Sequence, residues 1–283
     1  MRTLLIVLVS ALLPLGATAC GEGSSGGSGS AGQSGGGSVP STAARSTGSI
    51  EDPRAADLWL GVMDSIAPDH GWQKTRYIQF DWIVSRPSGP PLRRSHRWDR
   101  YEGTYRVEAP VDSARMVALF NVNHPTDGER IWMDGERVAD GPRSDSLAQR
   151  AYAMFINDSY WLLFPFKWAD PGAHLRSIGQ QEEWGMTYDA VELTFDSVGL
   201  TPQNKYRAYI DPSSGMFELW SHYPNASDST PAFTLHWTDW KKYGPILLSD
   251  RREDRNGDSR IYFENLAAST EVPDGAFDPP AGG

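Results

Sequence analysis

The sequence predicts a mainly β protein of the α+β class, built on one strongly curved antiparallel sheet with a few helices packed on one face. Three observations lead there. From Ile50 onward, stretch after stretch alternates apolar and polar residues, as Ile78, Phe80, Trp82 and Val84 do against Gln79, Asp81 and Ser85. These stretches follow one another across turn-forming pairs such as Asp134-Gly135 and Asn256-Gly257, the pattern of a meander. Only two segments carry a helical period.

The N-terminus precedes the fold. Arg2 gives a charged start, Leu4 to Leu15 an apolar core, and Ala17-Thr18-Ala19 a small-residue boundary before Cys20, the parts of a secretory signal over residues 1–19. The apolar run, interrupted by Pro14 and Gly16, is short for a membrane span. Cys20 is the only cysteine of the 283 residues, so no disulfide forms within the chain. The segment resembles a bacterial lipoprotein signal, which implies a diacylglyceryl group on Cys20 and cleavage just before it. Gly21, where sorting rules read an Asp, then implies the outer membrane, facing the periplasm, if the host is Gram-negative. Residues 20–49 form a linker of Gly, Ser, Ala and Thr that lacks the apolar surface to fold. As a coil of about thirty residues it spans roughly 30 Å. A domain over residues 50–283 follows. The net charge of −10, with no basic cluster, argues against a nucleic-acid partner and against electrostatic docking on anionic lipid.

Within the domain, the stretch 51–68 reads as a helix, with Asp52 placed to cap it, Pro53 in its first turn and Ala55, Leu58, Val62 and Ile66 on one stripe. Strands follow at residues 76–86, on both sides of Glu102-Gly103, at 115–123 and as a hairpin about Asp134-Gly135. A second helix is expected over residues 143–158, with Leu147, Ala151, Met154 and Phe155 in line. The aromatic stretch after it, residues 159–172, contains Pro165 and Pro171 and cannot continue as one helix. Strands resume at 188–195, 205–211, 215–223, 232–240, 244–253 and 259–268.

Chemistry-bearing motifs are sparse. The sequence has no Gly-x-Ser-x-Gly elbow, phosphate loop, dinucleotide fingerprint or HExxH pair, and its six histidines show no ligand spacing. No metal or other cofactor is expected. The run around Asn256-Gly257 superficially suggests a calcium loop, but Arg252 falls where the first carboxylate belongs and Phe263 where the closing acid does. The polar cluster is HRWDR, in which His96, Trp98 and Arg100 share one strand face and Arg97 and Asp99 the other. It reads either as a His–Arg site or as a strand whose register Asp99 fixes by pairing with Arg106 or a neighbouring arginine. Trp82, Trp98, Trp132, Tyr160, Trp161, Phe164, Phe166 and Trp168 either line an apolar cavity or pack as core.

The order helix, meander, mid-chain helices, second meander resembles the LolA/LolB-type lipoprotein-carrier fold. Gly103, Tyr105 and Arg106 sit as in a carrier stretch where glycine precedes an aromatic–arginine pair. The Asp134-Gly135 turn and the ending Val272-Pro273-Asp274 with Phe277 are similar to the carriers as well. Still closer are stretches such as HRWDRYEGTYRVE and YWLLFPFKWADPG, which look like a family of uncharacterised secreted bacterial proteins grouped with that fold. The resemblance implies an open half-barrel with a helical lid. It also implies a non-catalytic, lipid-anchored envelope protein whose half-barrel holds a lipid-like ligand, such as the acyl chains of a lipid or lipoprotein, with the eight aromatics and Arg106 as candidate contacts. Two other readings stand beside it: an envelope enzyme with a site around His96, Asp99 and Arg100, and an anchored module that binds an envelope protein partner. In the first, residues 159–172 form the lid.

Overall fold

The computed structural model describes residues 50–196 and 199–280, which fall in one compact unit spanning Arg45–Gly283. The signal, Cys20 and the linker lie outside the described residues. Two helices come first, α1 (Pro53–Ile66) and α2 (Gly71–Lys74). Strands β1 (Tyr77–Val84), β2 (Leu92–Asp99), β3 (Thr104–Val111), β4 (Ala114–Asn121), β5 (Arg130–Met133) and β6 (Glu136–Arg137) follow. Helix α3 (Pro142–Leu163) runs into a 3-10 turn (Phe164–Lys167). The second meander comprises β7 (Ala173–Glu183), β8 (Met186–Phe195), β9 (Lys205–Ile210), β10 (Phe217–Tyr223), β11 (Phe233–Tyr243), β12 (Ile246–Glu253) and β13 (Ser259–Ser269).

All thirteen strands join one sheet in the order β6-β5-β4-β3-β2-β1-β13-β12-β11-β10-β9-β8-β7. Every pairing is antiparallel, and β1 meets β13, so the first and last strands lie together in the middle. The ends β6 and β7 do not meet: the sheet is an open, curved half-barrel. Register shifts between Gln79 and Asp81, Ser177 and Gly179, and Phe217 and Leu219 mark bulges, which bend strands and increase their twist.

Strand alternation sends one set of side chains to the concave face, where the helices lie. Ile78, Phe80, Trp82 and Val84 of β1 join Val191, Leu193, Ala208, Phe217, Trp220, Trp237 and Leu248 there, beneath Trp59, Val62 and Ile66 of α1 and Leu162 to Phe164. Tyr105, Val107, Ala109, Met116, Ala118 and Ile131 meet Ala148, Ala151, Met154 and Phe155 of α3. Asp52 caps α1 as its sequence position predicts, accepting from the amides of Arg54 and Ala55. Its second oxygen accepts from the Ser177 amide at 2.9 Å and ties that cap to β7. The outer face of the first meander is strapped by the C-terminal segment. Phe277 packs on Val117, Leu119 and Trp132, and Arg97 donates to the Ala276 carbonyl. Among the described residues no helix is long and apolar enough to cross a membrane.

Three elements differ from expectation, the first being the one-turn α2, which is too short to carry a helical period. Strand β7 is absent from the sequence prediction because its side chains are largely polar and exposed, Arg176, Gln180 and Glu182 among them, as suits an edge strand. Helix α3 runs five residues past Asp158, to Leu163, before Pro165 enters the 3-10 turn. The proline ends the helix as its chemistry demands: it has no N–H for the carbonyl of Trp161, four residues earlier.

Candidate functional site

The break at Pro165 places Phe164 at the centre of the aromatic layer on the concave face. Its ring centroid lies 4.9 Å from Trp220, 5.3 Å from Tyr160, 5.5 Å from Trp168 and Tyr206, 5.6 Å from Phe217 and 6.1 Å from Trp237. Trp161 stands edge-on to Trp220 at 4.8 Å and stacks on Phe233. Phe164 and Trp168 are fully buried. Phe166 turns the other way and stacks on Trp72 at 4.4 Å.

The walls around Phe164 are rich in polar atoms that nothing satisfies. The indole Nε1 of Trp168, Trp220 and Trp237, the Tyr160 hydroxyl and His222 Nδ1 are buried without a hydrogen-bond partner among the described residues. A well-packed native interior leaves few such groups, because each forgoes its hydrogen bonds to water. Burial pushes the Tyr206 hydroxyl up to about 12 and His222 down to about 4, and it raises Tyr160 well above the usual tyrosine value. Tyrosines and imidazole here are neutral.

Arg252, on β12, closes this site beside α3. It is fully buried, yet every acceptor it has is neutral. Nε and Nη2 donate to the orphaned Trp161 carbonyl at 3.0 and 2.6 Å, and Nη1 donates to the carbonyls of Ser249 and Arg251 and to Ser249 Oγ. The guanidinium carbon sits 3.3 Å over the Trp237 ring and 5.0 Å from that of Phe263. Among the described residues no carboxylate lies within ion-pair distance of Arg252; Asp250, its nearest source of negative charge, pairs with Lys241 at 2.7 Å. Desolvation holds the guanidinium well below its ordinary pKa. Before the fold, nothing singles out this residue beyond its place in the calcium-like run.

His96 finds an acid, but not the expected one. Its Nε2 lies 3.0 Å from Asp158 Oδ2 on α3, and its Nδ1 lies 2.8 Å from the Tyr105 hydroxyl. Arg94, stacked 4.2 Å over Trp82, reaches the same Asp158 oxygen at 2.9 Å. His96, Asp158 and Tyr105 are wholly buried, and desolvation is the main cause of a lowered His96 pKa, partly opposed by Asp158. This is a polar pin between α3 and the sheet, with no access for a substrate. Asp99 faces the other side, where Arg76 holds it bidentately and depresses its pKa. Arg100 points its guanidinium at the carbonyls of Trp72 and Thr75, over the Trp72 ring. The structure therefore does not bring His96, Asp99 and Arg100 together, and the catalytic reading loses its site.

The remaining candidates divide by face. Trp82 and Trp98 are on the concave side, Trp98 edge-on to Phe155 at 5.2 Å. Trp132 and Arg106 are on the outer face. Trp132 lies under Phe277, while Arg106 pairs with Glu108 at 2.9 Å and donates to the Asp278 carbonyl, rather than reaching Asp99. Neither lines the concave face. Two shallow depressions, of about 260 and 490 Å³, lie elsewhere: one between Asp52, His174 and Glu192, the other between Arg115, Asp134 and Pro280.

No protein-family model matches the chain, and no curated protein does. Solved structures do. A LolA superfamily protein of Nitrosomonas europaea is 13% identical, with 79% of this chain and 96% of that chain covered and a TM-score of 0.44. A DUF1329 family protein of Desulfovibrio piger is 14% identical over 80% of this chain and 98% of its own, with a TM-score of 0.42. The MucA/MucB complex of Pseudomonas aeruginosa matches at 13% identity over 81% and 62%, with a TM-score of 0.22. What it is similar to is the LolA-like fold.

Proposed function

We propose that this chain is a lipid-anchored envelope protein, tethered through Cys20, that holds a hydrophobic ligand in the concave face of its half-barrel without catalysing a reaction. The ligand class is acyl chains of a lipid or lipoprotein. The observation that carries the reading is Phe164, ringed by six aromatic side chains, three of them tryptophans whose buried indole N–H groups lack an acceptor. A phenyl ring fills that space but satisfies none of the donors. An acyl chain ending in an ester or carboxyl group offers the same apolar body together with acceptor oxygens. Residues 160–168, the last residues of α3 and the 3-10 turn that Pro165 imposes after them, act as a plug that the ligand displaces. The driving force is burial of apolar surface, at about 25 cal/mol per Å².

The experiment is binding of a fluorescent fatty-acid probe to the full chain, measured on the folded fraction of Phe164→Ala and Trp161→Ala. Both substitutions should change probe affinity by more than their effect on folding explains. An ordinary core position forecasts only a stability loss, about 3–5 kcal/mol for a Phe or Trp truncation. Unchanged probe affinity with that loss contradicts the proposal.

A further inference from the structure

Two arginines of the concave face, Arg252 fully buried and Arg94 half-buried, specify the ligand further, granted the ligand-binding reading above. A guanidinium out of water needs a counter-charge or it costs several kcal/mol. Arg252 is fully buried and has only carbonyls and a hydroxyl. Capping the carbonyl that Pro165 orphans accounts for two of its N–H groups, and a neutral donor would do that without bringing a charge into the core. Arg94 is the second. Its partner is Asp158, and its ring contact, Trp82, pairs across the sheet with Phe263, over which Arg252 lies. Arg94, Trp82, Phe263, Arg252 and Trp237 thus form a row of two cations and three aromatic rings across β2, β1, β13, β12 and β11.

Both arginines are held from above by α3, through Asp158 and Trp161, three residues apart and so neighbours on the helix surface. When α3 gives way to a ligand from Asp158 onward, the plug and the turn before it, Arg94 loses a carboxylate and Arg252 a carbonyl. Both then face the ligand from an apolar wall. We infer that the ligand is an anionic amphiphile, an acyl chain carrying a carboxylate or phosphate oxyanion, whose head group takes the places of the Asp158 carboxylate and the Trp161 carbonyl on Arg94 and Arg252. The planar fork of arginine suits such an oxyanion. Asp158 is then the chain's own stand-in for the head group, which gives a fully buried carboxylate on α3 a role besides pinning the helix.

The test is displacement of the fluorescent fatty-acid probe from the full chain at pH 8 by dodecanoate, by dodecanol and by inorganic phosphate. Dodecanoate should compete about tenfold or more better than dodecanol, the scale of a hydrogen bond to a charged group. Arg252→Met and Arg94→Gln should each bring that ratio toward one. If Arg252→Met does not fold, the wild-type ratio and Arg94→Gln decide. Equal competition by acid and alcohol, or a ratio that survives in the folded variants, overturns the inference while leaving apolar binding intact. Displacement by phosphate as effective as by dodecanoate also overturns it, assigning a free-anion site. A probe that never binds overturns the ligand reading and this inference together.

Discussion

At the scale of single residues, burial on the concave face disfavours the charged form of its histidines, and that has a pH signature. His222, stacked on Phe233 and beside Tyr206, is lowered by burial to about 4, and His96 is lowered as well. An unfolded histidine titrates near about 6.5. Between those values the unfolded chain binds protons that the fold refuses, so stability is full above about pH 6.5 and is lost as pH falls. Each such histidine contributes a slope approaching ~1.4 kcal/mol per pH unit. Asp99, Glu108 and Glu192, held low by arginines, also favour the fold at higher pH, but their share is lost only below about pH 4. Denaturation midpoints between pH 7 and 5 should therefore fall with pH, and His222→Phe should flatten part of the slope. A slope unaffected by that substitution contradicts the assignment. The residue scale was the least legible in the sequence. His96 was visible as a candidate, but Asp158, its acid, lies 62 positions away on a helix, and only the fold brings the two together.

Elements were more legible, because periodicity and turn chemistry act locally. Asp52 as a cap and the Asp134-Gly135 turn, with φ of 50° and 87°, follow from the residues themselves. Strand β7 did not, since an edge strand with polar side chains on both faces has no hydrophobic alternation to read. Nor did the end of α3, which packing of Leu162 and Leu163 carries past the expected stop. The C-terminal strap is a further element, legible beforehand only as a short family-like ending. Phe277 covers Val117, Leu119 and Trp132 and meets the Tyr77 ring at 6.3 Å. Phe277→Ala should lower stability by about 1–2 kcal/mol, the share of a large apolar side chain that is half-buried. It should leave probe binding unchanged, because the strap and the concave site lie on opposite faces. Urea denaturation and probe titration of that variant check both halves; weakened binding at unchanged stability would place the strap in the ligand site instead.

At the scale of the whole molecule, alternation announced a half-buried sheet and two helices, but it could not say how the two meanders join. That depends on β1 pairing with β13, a contact between the start and the end of the domain. The anchor belongs to this scale too. Cys20→Ser should release the protein from the membrane fraction and abolish lipid labelling, because the thioether-linked diacyl group is the hydrophobic tether in this account. A variant that still partitions with membranes contradicts the anchor and leaves the fold untouched. The central claim is that residues 160–168 plug the concave face and yield to a ligand. Amide hydrogen exchange of the full chain, with and without saturating dodecanoate, tests it most directly. The account predicts faster exchange across residues 160–168 in the presence of dodecanoate, as the segment leaves Arg252 and the ring around Phe164, while β1 and β13 stay protected. Exchange in that segment that is unchanged or slower with dodecanoate bound would contradict it.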